Sequence, residues 1–179
     1  MRGHRLAVWG DPIAHSRSPQ VHSAAYATLG LEWEYVRRQV SESEFDSALA
    51  SLDGTWRGLS VTMPLKESAF RAAAERDAHA ELTGAANTLL LGDTVQGFNT
   101  DVGGIVDALE EHGVTRLDSV RILGSGATAA SALVAAADLG VRRAHILARR
   151  PGSTARLEAI GDRRGVAIET SGFDAAPDT

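Results

Sequence analysis

The sequence predicts an α/β protein, and three features of the chain support this fold class. Short apolar runs alternate with stretches of helical pattern through most of the 179 residues. A glycine-rich turn at residues 124–129 follows one apolar run and opens an alanine-rich stretch. From residue 119 onward the predicted order is strand, helix, strand, helix, strand. This is the order of one mononucleotide-binding half of a doubly wound sheet.

In the first hundred residues, apolar runs bounded by turn residues predict strands, and capping signals predict the helices between them. The predicted strands are residues 5–9, 33–40 and 58–62, with a hairpin that pairs 87–91 with 94–98. Ser18 is the predicted N-cap and Pro19 the first residue of a helix that Gly30 ends. The spacing from Ser41 to Glu44 is that of a capping box, which predicts a second helix ending near residues 53–54. Pro64 is predicted to open a third helix.

The remaining residues divide into a connecting helix and the doubly wound half. Residues 101–112 predict a helix that Gly113 closes and that joins two domains. The strands and helices predicted after it are 119–123, 127–139, 142–148, 153–162 and 165–169.

Composition limits the class of function. Hydrophobic residues make up 44% of the chain and charged residues 23%, which is ordinary for a soluble globular protein. A formal net charge of -5 gives no reason to expect nucleic acid or an anionic membrane as a partner. The chain has no cysteine, which excludes disulfides and thiolate chemistry. The apolar run at residues 6–9 is too short for a signal peptide. We therefore expect a cytoplasmic enzyme or binding protein with a small-molecule ligand, whose oligomeric state the sequence does not reveal.

The glycine-rich turn predicts a dinucleotide-binding site. In G-x-G-x-x-A form, Gly124 permits a tight turn, Gly126 lets the backbone approach a pyrophosphate, and Ala129 allows close helix–strand packing. The predicted cofactor-binding residues of the turn are Gly124, Ser125, Gly126, Ala127, Thr128 and Ala129. A plain tight turn between strand and helix is the alternative interpretation.

Arg149 and Arg150 end the second strand of this half, where an NAD site would carry an acidic residue for the ribose 2′-hydroxyl. Two guanidinium groups suit a bidentate contact to a 2′-phosphate and stacking on adenine, which favours NADP. A solvated arginine pair remains an alternative, since Arg142 and Arg143 lie nearby without such a role.

Lys66 is the only lysine of the chain, while the other 17 of its 18 basic residues are arginine. Arginine stays protonated, whereas a partly buried lysine can shift its pKa and exchange a proton. The position therefore predicts a site where the basic group titrates, with chance as the alternative.

Four segments around this lysine resemble the signature segments of shikimate dehydrogenases, in that family's order. They read GDPIAHSRSP at residues 10–19, SVTMPLK at 60–66, GAANT at 84–88 and GFNTD at 97–101. The resemblance implies an N-terminal α/β substrate-binding domain joined to a Rossmann domain. It also implies reversible, NADP-linked reduction of 3-dehydroshikimate to shikimate, a step of aromatic amino-acid and chorismate biosynthesis. The implied ranges are 1–100 for the substrate domain, 101–117 for the connection and 118–179 for the first half of the Rossmann domain.

The resemblance also assigns roles to individual residues. Ser16 and Ser18 match the pair that binds the substrate carboxylate, and Thr62, Lys66, Asn87 and Asp101 match the contacts to the ring hydroxyls. Lys66 and Asp101 match the catalytic pair, and which of them exchanges the proton stays open. Each position also has a structural interpretation: Ser18 as helix cap, Asp101, Thr100 or Asn99 as a cap, Thr62 as a strand end and Asn87 in a turn. His15 and His22 lack metal-ligand spacing, so no metal is predicted, and a packing role is favoured.

Three departures from the family pattern alter these expectations. Ser60 stands where the family often has Asn, and Ala127 where it often has Gly. Family members continue for roughly another half-chain, as two halves of a doubly wound fold require. The sequence is therefore expected to be either a fragment of a longer dehydrogenase or a naturally short relative. The alternatives to an NADP-dependent shikimate dehydrogenase are an NAD-linked quinate/shikimate dehydrogenase and a non-catalytic shikimate-binding protein.

Overall fold

A computed structural model describes residues 4–175 of the chain. The outermost residues of the predicted domain ranges, 1–3 and 176–179, lie outside the described residues. The chain divides into two compact units. The first runs to Ala80 and includes Gly84–Phe98, and the second comprises Glu81–Thr83 and the chain from Asn99 onward. Both units combine helices with β-sheet, which confirms the predicted α/β fold class.

The first unit contains a mixed sheet of six strands in the order β2-β1-β3-β5-β6-β4. β1 is parallel to β2 and β3, whereas β5 is antiparallel to both β3 and β6. The β5–β6 pair is the hairpin predicted from the sequence. The strands are β1 Arg5–Gly10, β2 Glu34–Gln39, β3 Trp56–Val61, β4 Glu75–Arg76, β5 Thr88–Leu90 and β6 Gln96–Phe98.

The helices of this part of the chain are α1 Ser18–Leu29, α2 Phe45–Ala50, α3 Lys66–Ala72 and α4 Ala78–Thr83. Gly30 ends α1 in the left-handed conformation at φ 67°, as the sequence predicts. The capping box is confirmed, because the Ser41 backbone N–H donates to the Glu44 carboxylate at 3.0 Å. A short 3₁₀ turn at Glu42–Glu44 precedes α2. The sequence did not predict α4 and β4, since neither is long enough to show a hydrophobic period.

Two predicted helix starts are wrong by one or two residues. Arg17, not Ser18, is the N-cap of α1, and no side chain caps that helix. Ser18 is its first helical residue, and the Ser16 hydroxyl accepts the Ser18 N–H at 3.3 Å. Pro64 lies ahead of α3, which begins at Lys66, because a turn in which the Leu65 N–H donates to the Thr62 carbonyl at 2.8 Å comes first.

The second unit contains three parallel strands in the order β7-β8-β9. Its strands are β7 Ser119–Leu123, β8 Arg143–Leu147 and β9 Ala167–Ser171, and its helices are α5 Asp101–Glu111, α6 Ala127–Asp138 and α7 Ala155–Arg164. α6 packs on α5, α7 and β7. Every strand and helix predicted from residue 101 onward is therefore found, with bounds that differ by a few residues.

Each unit has its own hydrophobic core. Trp9, Phe45 and Leu59 are fully or almost fully buried in the first unit. In the second, Leu133 and Ile146 are fully buried, and the alanines of α6 let this helix approach its neighbours closely. Within residues 4–175, no helix has the length and apolar character needed to cross a membrane.

Candidate functional site

Four candidate substrate residues of the first unit follow the carboxyl ends of two parallel strands: Ser16, Ser18, Thr62 and Lys66. β1 and β3 are neighbours in the sheet, so the segments that leave them meet at one edge. The Thr62 N–H donates to the Trp9 carbonyl at 2.9 Å, and the Asp11 N–H donates to the Met63 carbonyl at 3.0 Å. The first and second motifs are thus joined by backbone hydrogen bonds.

Gly10 is required by the close approach of these two segments. A Cβ atom built on Gly10 would lie 2.5 Å from Thr62 Cγ2 and 3.0 Å from the Met63 carbonyl oxygen. Real Cβ contacts are not that short, so glycine at this position lets Thr62 pack against the end of β1.

Lys66 and Asn87 are brought to the same edge by the backbone. Lys66 is half-buried at the start of α3, and its carbonyl accepts the Ala86 N–H at 2.9 Å. The Asn87 carbonyl accepts the N–H of Val61 at 2.7 Å. The Asn87 side-chain oxygen also accepts a hydrogen bond from the Thr88 hydroxyl at 3.1 Å. Thr62, Lys66 and Asn87 therefore lie on adjoining segments, as the four motifs predict.

A buried tyrosine that the sequence did not single out contacts this edge. The Tyr35 hydroxyl donates to the Ser60 hydroxyl at 2.7 Å, and, against the raising effect of burial, the nearby Ser18 side chain slightly lowers the pKa of the phenol. Ser16 is connected through its contact with the Ser18 N–H. Tyr35 lies in β2, which reads EYVRRQ, and an aromatic residue in a strand ordinarily indicates a packing role, so no sequence signal pointed to this contact.

The ring of His22 stacks on that of Tyr35, with centroids 4.2 Å apart and an angle of 12° between the planes. Burial lowers the pKa of His22, which favours the neutral imidazole. Burial also raises the pKa of Tyr35, which keeps the phenol protonated as a hydrogen-bond donor. His22 therefore packs beside the serine pair.

Asp101 belongs to the second unit, where a buried amide holds its backbone. It is the first residue of α5 and is half-buried, and its N–H donates to the Asn99 side-chain oxygen at 3.1 Å. The Asn99 amide nitrogen donates to Thr83 Oγ1 at 2.8 Å and to Ser131 Oγ at 3.1 Å. Thr100 is the N-cap of α5 and makes no side-chain cap bond. The Asn99 side chain instead holds the start of α5 through its hydrogen bond from the Asp101 N–H.

The sequence could not reveal the network around Asn99. Its three polar side chains are no more than 1% exposed, and they come from three distant positions in the chain, Thr83, Asn99 and Ser131. The only sequence signal was a serine that interrupts the alanine-rich α6. A buried polar group needs a partner, and these three supply one another.

The glycine-rich turn leaves open space in front of the N-terminus of α6. Gly124 takes φ 116°, and its N–H donates to the Leu147 carbonyl at 2.8 Å. Gly126 is the N-cap of the twelve-residue α6, and a Cβ built there would meet no protein atom within 4 Å. Protein packing therefore does not demand glycine at this position, and the open space in front of a helix N-terminus fits a pyrophosphate.

The arginine pair follows β8 beside the glycine-rich turn. Arg149 and Arg150 are exposed, and the Ser153 N–H donates to the Arg150 carbonyl at 2.9 Å. The hydroxyl of Ser153 in turn lies 2.8 Å from that of Ser125. Arg143, by contrast, begins β8 at the opposite end of the strand. The two arginine pairs are thus distinct, and the Arg149 pair is the one tied to the turn.

Comparison with known proteins finds similarity to shikimate dehydrogenases in sequence and in structure. Residues 8–89 match the family model of the shikimate dehydrogenase substrate-binding domain. An NADP(+) shikimate dehydrogenase of Methanothermobacter thermautotrophicus is 36% identical over 175 residues, which is 96% of this chain and 62% of that protein. The crystal structure of Mycobacterium tuberculosis shikimate dehydrogenase is 42% identical with a TM-score of 0.85, over 96% of this chain and 66% of that one.

A shikimate 5-dehydrogenase of Thermus thermophilus, solved in complex with NADP(H) and shikimate, is 30% identical with a TM-score of 0.80. The match covers 93% of this chain and 62% of that one. The chain thus spans less than two thirds of the length of these relatives.

Proposed function

Because residues 8–89 belong to the shikimate dehydrogenase family, we propose that this chain carries the substrate site and part of the cofactor site of an NADP-dependent shikimate dehydrogenase. That membership confirms the family predicted from the sequence. The reaction would be the reversible reduction of 3-dehydroshikimate to shikimate, within aromatic amino-acid and chorismate biosynthesis. A cytoplasmic location is part of the proposal, in keeping with the composition of the chain.

One observation carries the proposal. The segments that hold Ser18, Thr62, Lys66 and Asn87 are joined at one edge of the first unit's sheet by backbone hydrogen bonds. They supply hydroxyl, amide and ammonium groups, the set that a polyhydroxylated acid requires.

We assign the residues to the two ends of such an acid. The hydroxyls of Ser16 and Ser18 bind its carboxylate, and Thr62, Lys66, Asn87 and Asp101 bind its ring hydroxyls. Every one of these side chains is half-buried, so each can contact a ligand while its backbone is fixed by the fold.

The chemistry requires a group that exchanges a proton at one ring hydroxyl. When that secondary alcohol is oxidised, its carbon loses hydride and its oxygen loses a proton, and a positioned side chain must accept this proton. Lys66 and Asp101 form the pair assigned to this step, and the same pair returns the proton during reduction. A lysine can lose its proton where an arginine keeps it, which accounts for the single lysine of the chain.

NADP, when bound, accepts or supplies the hydride. Residues 124–129 would hold its pyrophosphate at the N-terminus of α6. Arg149 and Arg150 would hold the 2′-phosphate, the group that distinguishes NADP from NAD. Their exposure after β8 also argues against the alternative of an NAD-linked quinate/shikimate dehydrogenase.

Oxidation of shikimate with NADP⁺, followed by the absorbance of the reduced nicotinamide, tests the proposal. The assay compares the 179-residue chain with a longer chain that adds the region completing its relatives, and calorimetry measures shikimate binding to both. Turnover by either form supports a dehydrogenase, and turnover by the longer form alone identifies a fragment. Binding without turnover in both would favour a shikimate-binding protein, and absence of binding would refute the proposal.

A further inference from the structure

The side chain of Asn99 is shared between two helices of the second unit. The residue is 1% exposed and lies two positions ahead of the first residue of α5. Its side-chain oxygen accepts the Asp101 N–H at 3.1 Å, and its amide nitrogen donates to the Ser131 hydroxyl at 3.1 Å. One amide group thus joins the start of α5 to the second turn of α6, and the proposed function assigns Asn99 no role.

Hydrogen-bond chemistry fixes the orientation of this amide. The backbone N–H of Asp101 can only donate, so the side-chain oxygen of Asn99 faces it and the amide nitrogen points elsewhere. The two protons on that nitrogen are accepted by the hydroxyls of Thr83 at 2.8 Å and Ser131 at 3.1 Å. Rotating the amide by 180° would place its N–H group against the N–H of Asp101. The side chain therefore holds one orientation.

The contact with α6 extends to the glycine-rich turn. Ser131 accepts from Asn99 and donates to the Ala127 carbonyl at 3.3 Å, one turn back along the helix. Ala127 is the first residue of α6 and directly follows Gly126, the N-cap. The network around Asn99 therefore runs from Asp101 to the end of α6 at which the cofactor is proposed to bind.

Apolar packing would join α5 to α6 without this network. Val102, in the first turn of α5, is fully buried in one core cluster with Ala130 and Leu133 of α6. Such packing is non-directional, and apolar groups of similar shape can replace a buried hydrogen-bonded pair at little net cost. Hydrogen bonds differ because they require particular distances and angles. The specific contribution of the amide is thus the position of α5 relative to α6.

Position is important at both ends of the network. The proposed function places the Asp101 carboxylate on a ring hydroxyl of the substrate, and the pyrophosphate of the cofactor at the N-terminus of α6. A reaction between two bound molecules requires both to be held in a near-attack arrangement, and a displacement of about 1 Å can lower the rate about 10²-fold. A residue that fixes the start of α5 relative to the start of α6 therefore influences the reaction through its neighbours.

We propose that Asn99 is a positioning residue, which holds Asp101 in register with the cofactor-binding end of α6. It acts through the Asp101 N–H on one side and through the Ser131 hydroxyl on the other. The inference rests on the proposed function, because that function supplies the ligands of Asp101 and of the glycine-rich turn.

A double-mutant cycle between Asn99 and Asp101 tests the inference, in whichever protein turns over shikimate. Asn99→Ala should lower kcat about 10–100-fold and change KM for shikimate and NADP⁺ much less, because the groups that bind both ligands remain. In the Asp101→Ala background the same substitution should lower kcat little further, since the carboxylate that it positions is gone. Urea unfolding establishes that each variant is folded under the assay conditions.

Ser131→Ala breaks the network from its other end and serves if Asn99→Ala does not fold. It places alanine in an alanine-rich helix, and it should lower kcat in the same direction without adding to the loss in Asn99→Ala. Ser47→Ala is the matched control, because Ser47 also lies in a helix and donates to a backbone carbonyl, that of Glu44, at 2.9 Å. Ser47 belongs to neither candidate site, so this variant should leave kcat unchanged.

The outcomes separate positioning from a purely structural role. Additive losses in the cycle between Asn99 and Asp101 would overturn the inference, since a general defect lowers kcat by the same factor with or without the carboxylate. Unchanged kcat in folded Asn99→Ala would overturn it as well, whatever happens to KM. Absence of turnover in the unsubstituted 179-residue chain and in the longer one would instead refute the proposed dehydrogenase function.

Discussion

Gly10 and Gly126 both lie where a strand gives way to a candidate site, one in each unit of the molecule. A Cβ at Gly10 would lie 2.5 Å from Thr62 Cγ2, so protein atoms already fill the space beside it. A Cβ at Gly126 would meet no protein atom within 4 Å. Gly126 also has φ −84°, a conformation open to any residue. The first glycine is required by packing, whereas nothing within the protein requires the second.

The difference teaches that the two sites are built in different ways. In the first unit, side chains of the site contact one another and the strands behind them, as Tyr35 does with Ser60. In the second, the site consists of backbone around an open space, with Arg149 and Arg150 exposed beside it. Substitutions in the first should therefore affect folding and chemistry together, and substitutions in the second should affect ligand binding alone.

The largest effect is expected at Lys66, to which the proposed function assigns the proton transfer. Lys66→Ala should lower kcat about 10²–10⁴-fold with little change in KM, because it removes a group that acts in the transition state. Steady-state kinetics measure this effect in whichever protein turns over shikimate, the 179-residue chain or the longer one. Lys66→Arg keeps the charge and should remain as slow, since arginine does not release its proton. A near-normal kcat in either variant would disprove the assignment.

The second largest effect is expected at Arg149. It tests whether a substitution in the second unit affects ligand binding without affecting folding. Arg149→Ala should weaken NADP binding about 10–100-fold by removing a charge-assisted contact, and should leave NAD binding nearly unchanged. Fluorescence titration of both cofactors measures the ratio. Arg143→Ala, at the opposite end of β8, is the control and should change neither affinity. Equal losses for NADP and NAD would contradict the assignment to the 2′-phosphate.

Replacing Gly10 and Gly126 by alanine tests directly whether packing requires glycine at the first position and not at the second. Gly10→Ala should lower the free energy of unfolding by about 1–3 kcal/mol, because the new methyl group overlaps Thr62. Gly126→Ala should leave that free energy unchanged and weaken NADP binding about tenfold, since the methyl group occupies ligand space. Urea unfolding and cofactor titration of both variants separate the two effects. Similar unfolding curves for both variants would remove the distinction between the sites.

The smallest effect is a pH dependence confined to the first unit. Burial holds the pKa of His22 below its ordinary value of 6.5, so the unfolded chain takes up a proton there more readily than the folded one. The stability that His22 contributes is complete above pH 6.5 and is lost as the pH falls from that value through the lower pKa of the folded protein. His22→Phe keeps a flat ring on Tyr35 and should reduce the loss of stability between neutral and mildly acidic pH. Denaturant unfolding at several pH values checks this, with the exposed His112→Phe as the control.

The sequence by itself predicted the fold class, the order of strands and helices apart from β4 and α4, and the resemblance to shikimate dehydrogenases that the comparisons also found. These follow from local signals: apolar runs, capping residues such as Ser41, and a glycine turn, each of which acts over a few residues of chain. The motifs also predicted that Thr62, Lys66 and Asn87 belong to one site, and the structure joins their segments by backbone hydrogen bonds. The start of α1 was misplaced by one residue, since Arg17 is the N-cap and the Ser18 N–H donates to the Ser16 hydroxyl.

Only the tertiary structure decided which side chains support the two sites. Tyr35 contacts Ser60 across 25 positions of sequence, and Asn99 contacts Ser131 across 32. No local pattern specifies such pairs, because hydrogen bonds of buried groups depend on which strands and helices become neighbours. Gly10 and Gly126 likewise cannot be told apart from the sequence, because neither has a side chain. What lies beside each one, protein in the first case and open space in the second, exists only after the chain has folded.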